Sequence, residues 1–419
     1  MARMTLGSGI AACGLLACIG AASVAADHGG AAPSARSRAI QRLDRVVSAV
    51  RALRPPGAVM AVTGGPAGSY ERAFGLAEPG RAMSPRDHFR IGSITKTFTA
   101  TVILELVDRH KLSLTDRLSR WEPRVPDARR ITIGMLLGMR SGIWDEGGAG
   151  PGGKPSLLSQ WAAKHCTGTD PLCRGKVWTP QQIVDLAIRQ GRAFAPGTWY
   201  YSDTNYVILG IIATDVTDQP FAQLVRRMVL RPLGLQQTSF PVARTAMPRP
   251  ATVGYIQGAG NSYQRAPVLN PSATFAAGNM ISTVRDLQKW SRAFATGRLL
   301  SPRTRRLQRQ FALTPDTSPP LAGAGVPTTM VVRYGLGMID LGNLRGHNGF
   351  LPVDGYSAEM WALPGGRSTV VTLFNSIADC EGDFLADAAD SALAQAAFGT
   401  ALYRTAASAE IRCAPAPVG

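Results

Sequence analysis

Arg90-Ile91-Gly92-Ser93-Ile94-Thr95-Lys96 leads into an apolar stretch, residues 94–107, that reads as a strong helix. Ser93 and Lys96 are three residues apart, so a helix puts them on one face. Ser93 stands at the helix start, where free N–H groups and the helix dipole favour negative charge. A serine hydroxyl is a weak nucleophile until a neighbour takes its proton. A buried lysine amine near other cations or donors can lose its proton near neutral pH and serve in that way. An N-cap serine followed by a surface lysine would show the same spacing. Of the six lysines, only Lys96 has a serine three residues before it.

Working outward, Ile40, Leu43, Val46, Val47, Val50 and Leu53 recur at helical spacing until Pro55-Pro56-Gly57 stops them. Residues 58–63 and 69–75 read as two strands joined at Gly64-Gly65-Pro66. Near the other end, β-rich runs 356–363 and 368–374 flank Pro364-Gly365-Gly366 as a hairpin, and residues 383–398 form a last helix. The middle, about 110–325, is mostly helical: 181–189, 206–217, 221–230 and 284–294, broken by Pro and Gly. Strands at both ends and helices between predict an α/β (α+β) fold. Its antiparallel sheet is built from both chain ends and flanked by helices, with an inserted helical region. A cleft between the two parts is the natural place for a site.

The chain has 419 residues, 45% of them hydrophobic, with 45 Lys or Arg against 28 Asp or Glu and a net charge of +17. That hydrophobicity excludes a wholly disordered chain. The positive excess is almost all arginine, scattered in nothing longer than pairs such as Arg129-Arg130 and Arg305-Arg306. A nucleic-acid binder concentrates charge on one stripe with stacking aromatics, so no nucleic acid is expected. Arg3 is the only charge before Ala26, and Ser23-Val24-Ala25 offers small residues for cleavage, so residues 1–25 read as a signal peptide. Two other readings are an anchor helix and, from Leu15-Leu16-Ala17-Cys18, a lipoprotein box lipidated at Cys18. All three put the body outside the cytoplasm. Residues 26–36 read as a linker, 37–400 as the folded domain and 401–419 as a tail. The body keeps Cys166, Cys173, Cys380 and Cys413, which allow three disulfide pairings. The short span 166–173 reads as a locally closed loop, with Cys380 and Cys413 stapling the tail.

Other serine-hydrolase signatures are missing: Gly355-Tyr356-Ser357-Ala358-Glu359 lacks the last glycine of a nucleophile elbow. Two further segments are chemically dense. Pro196-Gly197-Thr198-Trp199-Tyr200-Tyr201-Ser202-Asp203 precedes an apolar helix, and Gly346-His347-Asn348-Gly349 reads as a turn that allows close backbone approach. Together, in order, Ser-x-x-Lys, Tyr-Ser-Asp and His-Asn-Gly resemble the penicillin-recognising serine hydrolases. These comprise class C β-lactamases, D-alanyl-D-alanine carboxypeptidases and related esterases. Arg231-Pro232-Leu233-Gly234-Leu235 and Gly278-Asn279-Met280-Ile281-Ser282-Thr283 add to the likeness, which runs over roughly residues 57–400.

The resemblance implies a β-lactamase/transpeptidase-like fold and an exported hydrolase that acts through an acyl-enzyme on an amide or ester. The substrate would be a small molecule or a peptidoglycan-type peptide. Ser93 would be acylated, Lys96 would be its proton partner, and Tyr201 a general base or proton relay. His347 would orient substrate, and the backbone N–H groups of Ser93 and Phe350 would form the oxyanion hole beside Gly349. No metal or other cofactor is implied. Two positions depart from the pattern. Asp203 stands where many relatives have Asn; as a carboxylate it accepts but cannot donate, and it could pair with Lys96. Asn348 replaces a threonine that helps hold a substrate carboxylate. Met338 and Ile339 follow Tyr334-Gly335-Leu336-Gly337 where a carboxypeptidase relative carries arginine, and Arg345 is not at that place. A different reading, from Asp203, Asn348 and the basic charge, is a cell-wall-binding or sensor protein that does not turn over. The charge itself suits an anionic cell envelope.

Overall fold

In the computed structural model the described residues are 33–148, 151, 154–165, 175–258, 262–314, 332–377, 379–380 and 383–399. Residues 1–25, read as a signal peptide, the tail 401–419, and Cys166, Cys173 and Cys413 lie outside them.

Ser34 caps the first helix, α1 (Ala35–Ala52), through its hydroxyl on the Ser37 N–H, and Ala39, Leu43 and Val50 form its buried stripe. Strands β1 (Gly57–Gly64) and β2 (Gly68–Glu78) form the predicted hairpin, with Val59 opposite Ala73. Helix α2 (Thr95–Asp108) is preceded by a tight turn over Gly92–Ile94 and is buried on every side as far as Leu106. Helices α3 (Thr204–Thr217) and α4 (Val284–Thr296) follow, and α2 rests against both: Phe98 stacks on Trp290 with centroids 4.3 Å apart. The chain then returns to the sheet as β3 (Arg345–Leu351), β4 (Tyr356–Ala362) and β5 (Thr369–Phe374), and closes with α5 (Leu385–Phe398).

The two chain ends share one nine-stranded antiparallel sheet. Its centre runs β2-β1-β5-β4-β3, with Val59 opposite Leu373 and Ala61 opposite Val371. Every residue of β4 and β5 is buried, as expected for strands covered on both faces. Helix α5 packs beside α1 against this centre. No helix of the described residues is long and apolar enough to cross a membrane.

Three local readings differ from the structure. Gly346-His347-Asn348-Gly349 is not a turn but the middle of β3. The glycines serve close approach within the strand: a Cβ on Gly346 would lie 1.8 Å from Met360 O, and one on Gly349 2.1 Å from Ile91 O. Among the described residues the middle region also contributes four short strands, Tyr255–Gln257, Tyr263–Arg265, Ile281–Ser282 and Ala312–Leu313. Residues 383–384 are paired with 379–380 and stand outside the last helix.

Candidate active site

Three pieces of chain meet at Ser93: the start of α2, the loop 196–203 ahead of α3, and β3. The turn Gly92–Ile94 lifts Ser93 onto the first turn of α2, with Lys96 one helical step away. Gly92 has φ +49°, and a Cβ there would lie 2.9 Å from Phe350 N; one on Gly349 would lie 2.9 Å from Ser93 N. Two glycines therefore let the backbone of Ser93 and of Phe350 come together where side chains would hold them apart.

Lys96 has no exposed surface. Its Nζ donates to Ser93 Oγ at 2.7 Å and to Ala277 O at 3.0 Å, and lies 2.6 Å from Asp203 Oδ1. The ammonium also sits 5.0 Å from the centre of the Tyr201 ring. A buried ammonium without a counter-charge is costly, and the Asp203 carboxylate, the residue that departs from the family pattern, supplies it. The Tyr201 hydroxyl hydrogen-bonds with Ser93. Burial first, then the nearby Asp203 charge, pushes the Tyr201 phenol well above its ordinary value. Tyr201 accordingly rests with its proton on.

The loop that carries Tyr201 and Asp203 is anchored on the segment after Ser141. Tyr200 N donates to Met139 O at 2.8 Å, and the Ser202 and Thr204 hydroxyls donate to Trp144 O at 3.2 and 2.7 Å. That segment brings two acids which the sequence reading did not single out. Asp145 Oδ1 accepts the Asp203 N–H at 2.9 Å, and Glu146 Oε2 accepts from the Thr204 hydroxyl at 2.7 Å. Both are almost fully buried. Burial, and then the Asp203 charge, raises Asp145 to about 7 and Glu146 well above the carboxylate range. The only signal available for them was an adjacent pair of acids directly after the apolar Ile143-Trp144.

His347 is also fully buried. Its Nδ1 lies 2.6 Å from Asn348 O, a carbonyl that can only accept. Nδ1 therefore carries the proton of the neutral ring, and Nε2 accepts from the Tyr334 hydroxyl at 3.3 Å. Burial, with Lys96 nearby, pushes the imidazole down to about 3, so it is neutral at physiological pH. Tyr201, Tyr334 and His347 form one aromatic wall, with ring centres 6.1–6.4 Å apart. Asn348 joins the site by its backbone only. It pairs with Glu359, whereas His347 pairs with Met360, so the pleat sends the Asn348 side chain to the opposite face of the sheet. Arg345 faces Asp340 at 3.9 Å, and Met338 and Ile339 are buried, so none of these three supplies the carboxylate contact.

The family described as Beta-lactamase matches residues 43–394. Penicillin-binding protein 4* of Bacillus subtilis is 25% identical over 345 residues, which cover 78% of this chain and 69% of that protein. A D-stereospecific amidohydrolase from Streptomyces sp. superposes with a TM-score of 0.69 at 30% identity, covering 88% of this chain and all of that one. D-amino acid amidase from Ochrobactrum anthropi SV3, complexed with L-phenylalanine amide, superposes with a TM-score of 0.67 at 25% identity. That match covers 81% of this chain and 92% of the amidase.

Proposed function

This chain belongs to the beta-lactamase family of acylating serine hydrolases, and from that premise we propose that it is an exported hydrolase of small amides or esters bearing a free amino group. The observation that carries this reading is the acidic wall beside Ser93. Asp203 lies 2.6 Å from Lys96 and is the most exposed of the three acids, Asp145 accepts its backbone N–H, and Glu146, raised well above the carboxylate range, adds no charge. A carboxylate wall attracts an ammonium and repels a carboxylate. Met338 and Ile339 at the place of the relative's arginine, and the turning away of Asn348, argue in the same direction: against substrates recognised by a terminal carboxylate. Two solved relatives are an amidohydrolase and an amino acid amidase.

In this reading Ser93 Oγ attacks the substrate carbonyl carbon, and the backbone N–H groups of Ser93 and Phe350 receive the developing oxyanion. Tyr201, still protonated, accepts the Ser93 proton while passing its own to the leaving amine or alcohol. Lys96 holds positive charge 2.7 Å from the attacking oxygen throughout. Water then attacks the acyl-enzyme by the reverse relay, releasing the acid and restoring the Ser93 hydroxyl. His347 and Tyr334 fix the far wall. Export rests on residues 1–25.

The test is a panel on the purified protein: D- and L-amino acid anilides, their N-acetylated forms, p-nitrophenyl acetate, nitrocefin and a D-alanyl-D-alanine peptide. The free-amine anilides should lead, N-acetylation should cost at least tenfold in kcat/KM, and Ser93→Ala should abolish turnover. Equal rates on free and acetylated forms would remove the amine reading. The alternative, a wall-binding protein that does not turn over, draws on the +17 charge and predicts stable acylation by penicillin without product release.

A further inference from the structure

A second cleft, about 320 Å³ in volume, opens between residues 245–254, 265–268 and the β3–β4 turn at Asp354. None of Ser93, Lys96, Tyr201, Asp203 or His347 lines it. Three guanidinium groups do: Arg90, Arg249 and Arg265. Arg90 is the unusual one, because only 4% of it is exposed. Its Nη2 donates to Thr245 O at 2.7 Å, and among the described residues no carboxylate oxygen lies within the 4.0 Å of an ion pair. The two acids of the cleft are already engaged. Glu78 is shared by Arg81 at 2.8 Å and Arg249 at 3.1 Å. Asp354 accepts the Leu269 N–H at 2.8 Å, and burial raises its carboxyl to about 6 against the pull of Arg90. Arg265 is exposed at the rim and forms no ion pair among the described residues.

A buried guanidinium loses its hydration and needs an anion in return; five N–H donors in a fixed fork match a carboxylate or phosphate. Here the nearest carboxylate of the cleft, Asp354, stays beyond ion-pair distance of Arg90, and the cleft leaves room beside it. We propose that this cleft is a binding site for a small anion, a carboxylate or a phosphate group, clasped by Arg90 and Arg265 and separate from the catalytic centre. Its position gives occupancy a consequence. Arg90 is three residues before Ser93, and Asp354 is four after Phe350. An anion held there steadies both strands whose N–H groups converge beside Ser93, so occupancy raises kcat more than it changes KM.

The test uses the full chain, with inorganic phosphate and succinate as the two probes in separate calorimetric titrations at fixed pH and ionic strength. One probe should bind saturably with one-to-one stoichiometry, and the stronger arm identifies the ligand group. Arg265→Ala, an exposed change that leaves the core alone, should weaken that binding at least tenfold. Arg90→Gln should abolish it, and Asp354→Asn should tighten it several-fold by removing a competing carboxylate. p-Nitrophenyl acetate turnover should rise about twofold or more in kcat at saturating probe, and this response should vanish in Arg265→Ala. No saturable binding by either probe overturns the proposal. So does binding that Arg265→Ala and Asp354→Asn leave unchanged, since the anion would then sit elsewhere on a strongly basic surface.

Discussion

Two groups of buried carboxylates sit in this molecule, and the contrast between them isolates what Lys96 does. Beside Ser93, Asp145, Glu146 and Asp203 gather near an ammonium. Under α5, Glu359, Asp387 and Asp390 gather; among the described residues no ion pair reaches Glu359 or Asp390, and the Trp361 indole N–H donates to Glu359 Oε2 at 2.7 Å. Among the described residues no group of three such side chains is arranged to hold a metal. Burial and mutual repulsion push Glu359 and Asp390 well above the carboxylate range, so the second cluster keeps its protons. The first can hold at least one carboxylate ionised, because a charge of opposite sign is 2.6 Å away. The same residue types thus become a charged site in one place and a proton-bound core in the other.

The largest expected effect comes from making the two alike. Lys96→Met removes the ammonium and leaves the acids of the site uncompensated. Turnover of p-nitrophenyl acetate should fall by roughly 10³-fold or more, as expected when a charge beside the reacting oxygen is lost. The double variant with Ser93→Ala should fall little further, since the two act as a unit. A Lys96→Met enzyme within tenfold of the parent would show that the acids, not the lysine, organise the site.

Next in size is a pH effect on stability from the cluster under α5. A carboxyl raised in the folded state contributes stability that is full below its unfolded value, near pH 4, and is lost as pH rises through its folded value. Glu359→Gln can still accept the Trp361 N–H but cannot ionise. Relative to the parent it should therefore be more stable at pH 9 than at pH 5. Denaturant melts at the two pH values decide the matter; parallel curves would mean the cluster is not proton-bound. A smaller effect tests the acidic wall. Asp203→Asn should raise KM about tenfold for a free-amine anilide, consistent with losing one charge pair. The loss for the N-acetylated form should be much smaller.

The contrast also marks how far the sequence carries. The sheet shared by both chain ends, the buried helix after Ser93 and the family motifs are all legible, because each is written in local periodicity or short spacing. Ser93, Lys96 and the Tyr201–Asp203 step could be named for the same reason. Asp145 and Glu146 could not. Nothing local distinguishes a buried acid from a surface one; only the fold brings the segment after Ser141 against the loop before α3. Asn348 is placed at the substrate by the resemblance alone, as the residue in place of a threonine, while its segment reads as a turn. Once that segment is a strand, the two-residue period decides which face each residue takes. His347 likewise depends on burial, which leaves it neutral and makes it an acceptor for Tyr334.

That neutrality sets up the finest test of the comparison. His347 and Asp145 both lie near Lys96, and an enzyme with a rate break near pH 7 invites assignment to the histidine. Burial reverses the expectation: the imidazole is pushed to about 3, while Asp145 is raised to about 7. As pH rises through 7, Asp145 ionises and adds a second negative charge behind Asp203. Binding of a cationic amine should then improve, so kcat/KM for a free-amine anilide should rise about two- to fivefold between pH 6 and pH 8. The N-acetylated substrate should show no such rise. Asp145→Asn should flatten the profile, while His347→Gln should lower the rate and keep the break. If the break instead follows His347, the site titrates through its far wall, and the acids beside Lys96 stay fixed in charge like those under α5.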